Sequence, residues 1–166
     1  MPTLVYLIIS LIKVTVYAHN CRITRQDNQT IADCTRLKLN DVPTDLPLDI
    51  AGLDLSYNQI SMIQNDVFDS FSNLTTLTMD FNNLHTIYGD VFKGLKQLRW
   101  LSMNHNHLNI SSFDIVLRPL LRLQHLDIRY NINKTLNKVE PMVYPYFGNL
   151  TYLTNLYMDL AQKTTP

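Results

Sequence analysis

Residues 50–60 read Ile50-Ala51-Gly52-Leu53-Asp54-Leu55-Ser56-Tyr57-Asn58-Gln59-Ile60. Around Leu53 and Leu55 the apolar side chains alternate with polar ones, and an asparagine follows at Asn58. Alternation with a period of two is typical of a strand that buries one face. The asparagine falls where the chain is expected to leave the strand and turn. The stretch therefore predicts a short strand that ends in a tight turn.

The same pattern, L-x-x-L-x-L-x-x-N-x-L, recurs along the chain. Further copies are LTTLTMDFNNL at 74–84, LRWLSMNHNHL at 98–108 and LQHLDIRYNIN at 123–133. A fifth start follows at Leu153, so the intervals between starts are 24, 24, 25 and 30 residues. Self-similarity at a nearly fixed period is the sequence signature of stacked repeats. The chain is therefore predicted to be a repeat protein.

A single repeat cannot bury its own apolar residues, so neighbouring repeats are expected to stack into a continuous core. The strands then lie in parallel along the concave side, while the phenylalanines fill the wider convex half. An asparagine amide offers both donors and an acceptor, so it can satisfy buried backbone groups at each turn. The asparagines at this position, which we call the ladder asparagines, are Asn58, Asn82, Asn106 and Asn131.

The first 18 residues carry a signal-peptide pattern. An apolar run at 4–12 precedes a cleavage site that ends at Ala18. An uncleaved anchor and a buried segment are the alternatives. The run is too short to span a bilayer comfortably, and no later stretch approaches 18 apolar residues. We expect a secreted chain, or one on the extracellular or luminal side of a membrane, with no transmembrane helix in its mature part.

The two cysteines, Cys21 and Cys34, follow the proposed cleavage site closely. In an oxidising compartment such a pair indicates a disulfide. A structural zinc site needs four ligands, and only His19 lies near. The disulfide is the favoured interpretation.

The region before the first repeat is predicted to be a cap. Residues 19–49 form this cysteine cap, in which Leu37 and Leu39 are expected to make a short strand. Residues 50–160 then hold four complete repeats and a partial fifth, and 161–166 form a tail without a C-terminal cap. Together these features predict an α/β-type leucine-rich-repeat solenoid, a curved horseshoe with a parallel concave sheet, few helices and a disulfide N-terminal cap.

Three departures from the repeat pattern are visible. Ser111 and Asn133 replace apolar residues, and Ala161 replaces the asparagine of the fifth repeat. The fourth repeat is longer, with an insertion at 140–145 that forms either a partner-binding loop or a tolerated surface loop.

Five N-x-S/T sequons agree with an extracellular or luminal compartment. The predicted N-glycosylation sites are Asn28, Asn73, Asn109, Asn133 and Asn149.

The cap sequence at 31–47, IADCTRLKLNDVPTDLP, resembles the N-terminal part of a Toll-like receptor ectodomain. The similarity continues through LDLSYNQI and the repeats, over about residues 21–160. The two-cysteine cap reduces the number of secreted leucine-rich-repeat families that the chain can resemble. The resemblance implies a horseshoe ectodomain that recognises microbial components, homo- or heterodimerisation, and innate immune signalling. The chain contains neither a membrane helix nor a signalling domain, so a fragment or a soluble form is expected. A secreted matrix or adhesion protein that organises protein partners is the alternative.

A protein or microbial ligand is expected to bind the concave or lateral face, where outward strand positions carry aromatic, charged and hydroxyl groups. One set of rings precedes the ladder asparagines and forms a stripe that either contacts a ligand or packs along the sheet. Trp100 is the best single candidate because it is the only tryptophan and faces outward. The ligand-binding candidates are Trp100, Arg99, His105, Tyr57, Phe81, Tyr130, His125 and Arg129.

The remaining observations limit the function class. The formal net charge is zero, which does not favour nucleic acid as a ligand but leaves a local patch open. His85, His105 and His107 are interpreted as surface polar residues, with acid-dependent binding of an anion as the alternative. The sequence has no hydrolase, phosphate-loop, metalloprotease or dinucleotide motif, so we expect no enzyme activity, no cofactor and no metal site.

Overall fold

One sheet runs through the part of the chain that the computed structural model describes, residues 20–87, 89–108, 113–131 and 147–159. Its strands, in chain order, are β1 (Arg22–Gln26), β2 (Gln29–Asp33), β3 (Ile50–Asp54), β4 (Thr76–Thr78), β5 (Trp100–Ser102), β6 (His125–Asp127) and β7 (Asn155–Tyr157). A single short helix in these ranges, α1 (Phe113–Leu117), lies between β5 and β6 in the sequence. None of the described helical segments is long and apolar enough to cross a membrane.

The strand order of the sheet follows the chain from β1 to β7. β1 and β2 pair antiparallel, and all later neighbours pair in parallel. Leu53 lies opposite Leu77, Leu77 opposite Leu101, and Leu101 opposite Leu126. Each repeat thus contributes one strand in a constant register. The predicted leucine-rich-repeat solenoid with a parallel sheet and few helices is confirmed.

The core is continuous from the cap to the last described repeat. Its inner layer is formed by the buried leucines of β3 to β6, and the convex loops add aromatic side chains. Phe68 and Phe92 occupy equivalent places in successive repeats, and their rings stack with centroids 5.9 Å apart. Truncation of such a buried phenylalanine typically costs about 3–5 kcal/mol. The convex rings are therefore major contributors to stability.

Gly94 lies where two neighbouring convex loops are in close contact. A Cβ atom there would be 2.6 Å from the Cα of Asp69 and 2.9 Å from the carbonyl oxygen of Phe68. Both are backbone atoms, which cannot move aside as the end of a flexible side chain can. Only glycine permits this approach.

The ladder asparagines connect adjacent repeats through the backbone. Asn82 donates from Nδ2 to the carbonyl of Met79 in its own repeat and to that of Leu55 in the preceding one. Its Oδ1 accepts from the N–H of Ile60 at 3.0 Å. The others make equivalent bonds, and all four side chains are buried. The predicted satisfaction of buried turn groups is confirmed, and it extends across the boundary between repeats.

The cap begins with the hairpin of β1 and β2, whose second strand pairs with the first repeat strand, β3. Asp27 and Asn28 form the two-residue turn, and both have positive φ, as in the primed turns that suit hairpins. Cys34 follows β2 and donates its N–H to the carbonyl of Asp54, as Leu55 does to Thr78 one repeat later. A disulfide joins Cys34 to Cys21, and both are buried. The predicted disulfide therefore takes the place of a core leucine.

The prediction of a strand at Leu37 and Leu39 is wrong. β2, at Gln29–Asp33, makes the parallel pairing with β3 instead. Arg36 and Lys38 both have φ of 58°, in the left-handed region, which interrupts an extended strand. Leu37 and Leu39 lie in the turn that follows, where their N–H groups both donate to Oδ1 of Asn58.

Several predicted features lie outside the described residues. These are the signal peptide at 1–18, the sequons at Asn109 and Asn133, the departures at Ser111 and Ala161, the insertion at 140–145 and the tail at 161–166.

Candidate functional site

A row of side chains at the ends of the strands forms what we call the aromatic column: Tyr57, Phe81, His105 and Tyr130. Each directly precedes a ladder asparagine, and each has φ between 51° and 59°. In this left-handed conformation the chain turns sharply while the ring remains on the concave side. The column is thus a consequence of the turn that the asparagine ladder closes.

The rings of the aromatic column stack on one another. Tyr57 and Phe81 have centroids 4.5 Å apart and an interplanar angle of 6°. The His105 centroid lies 4.1 Å from that of Phe81, and the Tyr130 centroid lies 4.2 Å from that of His105. At the cap end, the guanidinium carbon of Arg36 lies 4.0 Å from the Tyr57 centroid. The rings therefore pack along the sheet, as one of the two interpretations predicted, and keep exposed edges.

A second group, the tryptophan cluster, consists of Trp100, His125, Tyr157 and Arg129. The Trp100 and His125 rings stack with centroids 3.3 Å apart and planes within 5°. Tyr157 lies 5.1 Å from His125, and the Arg129 guanidinium lies 4.9 Å from the Tyr157 centroid. Trp100 remains 43% exposed, so part of its ring is accessible to a partner.

Between these two groups runs a polar network. Ser102 donates to Oδ1 of Asp80 at 2.7 Å, and the N–H of Asn104 donates to the same oxygen at 2.9 Å. Further along, Arg129 donates from Nε and Nη2 to the two oxygens of Asp127 at 3.0 and 2.6 Å. The network connects neighbouring repeats on the concave side.

Three polar side chains on the concave side are buried. Ser56, Ser102 and Asp127 are only 6%, 4% and 5% exposed. Their polar atoms are satisfied by hydrogen bonds, and those of Ser56 and Ser102 join neighbouring repeats. They therefore form the floor of the concave surface.

Three ionisable groups of the concave surface have shifted pKa values, one raised and two lowered. Burial raises the pKa of Asp80, against hydrogen bonds from Ser102 and Asn104, and repulsion from Asp127 and Asp54 adds to the increase. Burial opposes ionisation of Asp127 too, but its hydrogen bonds from Arg129 and the charge of Arg129 lower its pKa overall. Burial also lowers the pKa of His125, assisted by Arg129 and opposed by Asp127.

An open cavity of about 380 Å³ lies at the cap end of the concave surface. Carboxylates, hydroxyls, two rings and one guanidinium line it. The lining residues are Thr35, Arg36, Asp54, Ser56, Tyr57, Thr78, Asp80 and Phe81.

The eight predicted ligand-binding residues divide into three sets. Tyr57, Phe81, His105 and Tyr130 form the aromatic column, and Trp100, His125 and Arg129 belong to the tryptophan cluster. Arg99 is exposed just before β5, and no ring contact or ion pair joins it to either group within the described part of the chain. Their binding role stays a prediction.

The other surface predictions can also be placed. His85 and His107 are exposed, and their rings lie 5.2 Å apart in neighbouring repeats. The described sequon asparagines are all exposed: Asn28, Asn73 and Asn149. Their glycosylation stays a prediction. Across residues 20–87, 89–108, 113–131 and 147–159, no three His, Cys, Asp or Glu side chains are grouped to hold a metal ion.

Two features were missed by the sequence analysis. Arg36 continues the aromatic column into the cap, and Trp100 and His125 form a direct stack. The second could have been found, because Trp100 and His125 occupy the same repeat position 25 residues apart. The first was missed because the cap strand was predicted at Leu37 and Leu39, whereas Arg36 follows β2 in the position that Tyr57 takes one repeat later.

The parallel sheet, the asparagine ladder and the disulfide cap define a leucine-rich-repeat module. Residues 50–108 match a protein family described as "Leucine rich repeat". The chain is also similar to Toll-like receptor 3 of Bos taurus, at 40% identity over 63 residues, and to that of Homo sapiens, at 45% over 47 residues. The resemblance to Toll-like receptors is confirmed over these stretches.

The relatives are much longer than the matched segments. The bovine match covers 38% of this chain and 6% of the receptor, and the human match covers 28% and 5%. Among solved structures, a chain of the mouse RP105/MD-1 complex superposes with a TM-score of 0.68 at 26% identity. That superposition covers 83% of this chain and 22% of the other. The chain therefore corresponds to a small part of each relative.

Proposed function

We propose that the chain is an extracellular or luminal ligand-binding module for innate immune pattern recognition, as a fragment or soluble form of a Toll-like receptor ectodomain. Similarity to Toll-like receptor 3 supports the receptor class. The superposed relative was crystallised as the RP105/MD-1 complex, which supports a protein partner as one type of ligand. Homo- or heterodimerisation belongs to the same proposal.

The observation that carries the proposal is the pair of exposed ring groups on a rigid concave sheet. Trp100 is 43% exposed and Tyr130 is 57% exposed, although large apolar side chains are usually buried. Aromatic anchors held by a rigid scaffold are typical of binding hot spots, since little conformational entropy is lost on binding. This arrangement suits binding, and we assign the chain no catalytic role.

The test is a binding screen with the full secreted chain. The chain is immobilised and exposed to bacterial lipopeptide, lipopolysaccharide, double-stranded RNA, and soluble extracellular proteins including collagen. We expect at least one microbial component or receptor-associated protein to bind, and Trp100→Ala to weaken that binding at least about tenfold, as for a hot spot.

The matched control is Tyr152→Ala. Tyr152 is 61% exposed and lies in the turn before β7, so its loss removes a comparable ring outside the tryptophan cluster. Equal weakening by both variants would remove Trp100 as an anchor. Binding to collagen alone would favour the matrix or adhesion function, and a chain retained inside the cell would contradict the extracellular location.

A further inference from the structure

Some aspartates of the concave surface form ion pairs with arginines, and others do not. Asp33 pairs with Arg22 at 2.9 Å, and Asp127 pairs with Arg129 at 2.6 Å. Asp54 and Asp80 form no ion pair with any basic side chain in the described ranges. These two carboxylates lie between the neutralised ones, and both line the cavity at the cap end.

The hydrogen bonds of the two carboxylates leave part of each one free. Oδ1 of Asp54 accepts from the N–H of Ser56 at 2.9 Å, and Oδ1 of Asp80 accepts from Ser102 and Asn104. No donor from the described residues bonds to Oδ2 of either carboxylate, so each can accept a further hydrogen bond there. Burial disfavours the ionised form of Asp80, so a donor with positive charge would restore the interaction that water would otherwise supply.

The rings give the cavity a wall that suits a side chain with an aliphatic stem. Tyr57 and Phe81 line one side, and they are 43% and 39% exposed. Phe81 stacks on one face of Tyr57, so the guanidinium of Arg36 occupies the opposite face. The Tyr57 ring thus separates the positive charge of Arg36 from Phe81 and from the Asp80 end of the cavity.

We infer that this cavity binds a lysine or arginine side chain presented by a protein partner, with Asp54 and Asp80 as acceptors and Tyr57 and Phe81 as the aromatic wall. The inference rests on the proposed binding function and specifies the chemistry of one contact. A volume of about 380 Å³ is in the range of side-chain and small-ligand pockets. The exposed ring edges can pack against the aliphatic stem, and the hydroxyls of Thr35 and Thr78 provide further acceptors.

The experiment uses a fluorescein-labelled tetra-arginine peptide as the probe and the full chain as the receptor. Fluorescence polarisation measures affinity at low ionic strength, with tetraglutamate as the opposite-charge probe. We expect tetra-arginine to bind and tetraglutamate not to bind. Asp80→Asn should weaken binding at least about tenfold, since a hydrogen bond between charged groups is replaced by a neutral one.

Asp90→Asn is the matched control. Asp90 is exposed in the convex loop of the second repeat, so the variant changes the net charge equally and leaves the cavity intact. Binding that falls equally in Asp90→Asn and Asp80→Asn would show diffuse charge attraction and overturn the inference. So would unchanged binding in Asp80→Asn.

A second pair of variants leaves both carboxylates and their hydrogen bonds in place. Thr78→Lys puts a cation between Asp54 and Asp80, whereas Thr76→Lys puts the same charge on the same strand outside the cavity lining. We expect Thr78→Lys to abolish tetra-arginine binding and Thr76→Lys to weaken it at most modestly. If Asp80→Asn does not fold, the comparison of Thr78→Lys with Thr76→Lys tests the inference by itself. An equal loss of tetra-arginine binding in these two variants would reject the inference.

The result is separable from the test of the proposed function. A chain that binds a partner through Trp100 but shows no selectivity for tetra-arginine loses only the basic-side-chain contact. A chain that binds tetra-arginine through Asp80 but no biological ligand keeps the cavity chemistry and loses the proposed recognition role.

Discussion

The residues of the aromatic column combine an unfavourable backbone conformation with favourable ring contacts. Tyr57, Phe81, His105 and Tyr130 all have left-handed φ values. For residues other than glycine this conformation costs roughly 1–2 kcal/mol each. Stacked aromatic pairs gain about 0.5–1.5 kcal/mol beyond their buried area, which is of the same order. The stack therefore offsets much of the strain that the ladder turns impose.

At the same scale, we predict that Asn82→Leu destabilises the fold by about 1–3 kcal/mol, because buried backbone groups lose their partners. The N–H of Ile60 and the carbonyl of Leu55 both bond to this amide. Urea denaturation measures the change in free energy of unfolding. The control is Asn83→Leu, since the adjacent Asn83 is exposed. An equal loss in both variants would contradict the ladder's role.

We further predict opposite pH effects for two aspartates. The folded-state pKa of Asp80 is raised above its usual 3.8, so its contribution to stability is present at lower pH and is lost as pH rises through the raised value. The folded-state pKa of Asp127 is lowered, so its contribution is present above 3.8 and is lost as pH falls through the lowered value.

Urea titrations between about pH 2 and pH 6 test this pair against the asparagine variants. As pH rises, the wild-type chain should lose free energy of unfolding relative to Asp80→Asn and gain it relative to Asp127→Asn. Two differences of the same sign would refute the assignment of one raised and one lowered pKa.

Among the elements, the cap hairpin provides the first layer of the core. β2 pairs in parallel with β3, and Cys34 follows it in the position that a core apolar residue takes in later repeats. The disulfide to Cys21 fixes the start of β1 against this layer. A solenoid needs such a cover because its first repeat would otherwise expose its apolar face.

The corresponding prediction is that Cys21→Ser/Cys34→Ser lowers the free energy of unfolding by roughly 3 kcal/mol, from the chain entropy of the opened loop. The double variant avoids a free thiol. Thermal melting and the secreted yield measure the effect, with reduction of the wild-type chain as an independent comparison. Unchanged melting and yield would remove the structural role of the disulfide.

For the whole molecule, stability is distributed along one dimension. Each strand pairs only with its neighbours in the chain, from β1 to β7. Stability of such a stack is approximately a sum of repeat terms and nearest-neighbour interfaces. A local defect should therefore weaken the adjacent repeats more than distant ones.

We predict that Phe92→Ala costs about 3–5 kcal/mol and that the loss is spatially graded. Phe92 is buried and stacks on Phe68. Hydrogen exchange followed by mass spectrometry should show faster exchange in β4 and β5 first, with β1 and β2 least affected. Leu121→Ala is the control because Leu121 is 57% exposed. Uniform deprotection of all strands would instead indicate a single cooperative unit.

The sequence by itself determined the repeat register, the parallel sheet, the ladder asparagines and the disulfide. Each depends on a pattern within one repeat, or on a pair of nearby cysteines, and stacking follows because no repeat can bury its core alone. Trp100 was also identifiable, since strand alternation places it on the concave side, and the rings of the aromatic column could be found by their recurrence just before the ladder asparagines.

Only the tertiary structure decided which of these side chains meet. The Trp100–His125 stack, the burial of Ser56 and Ser102, and the cavity around Asp80 all join residues from different repeats. Their distances depend on how closely adjacent repeats approach and on which side chain is large enough to cover its neighbour. The strand expected at Leu37 and Leu39 failed for a related reason. The partner that β3 selects is fixed by the packing of the whole cap, which the local alternation of leucines does not encode.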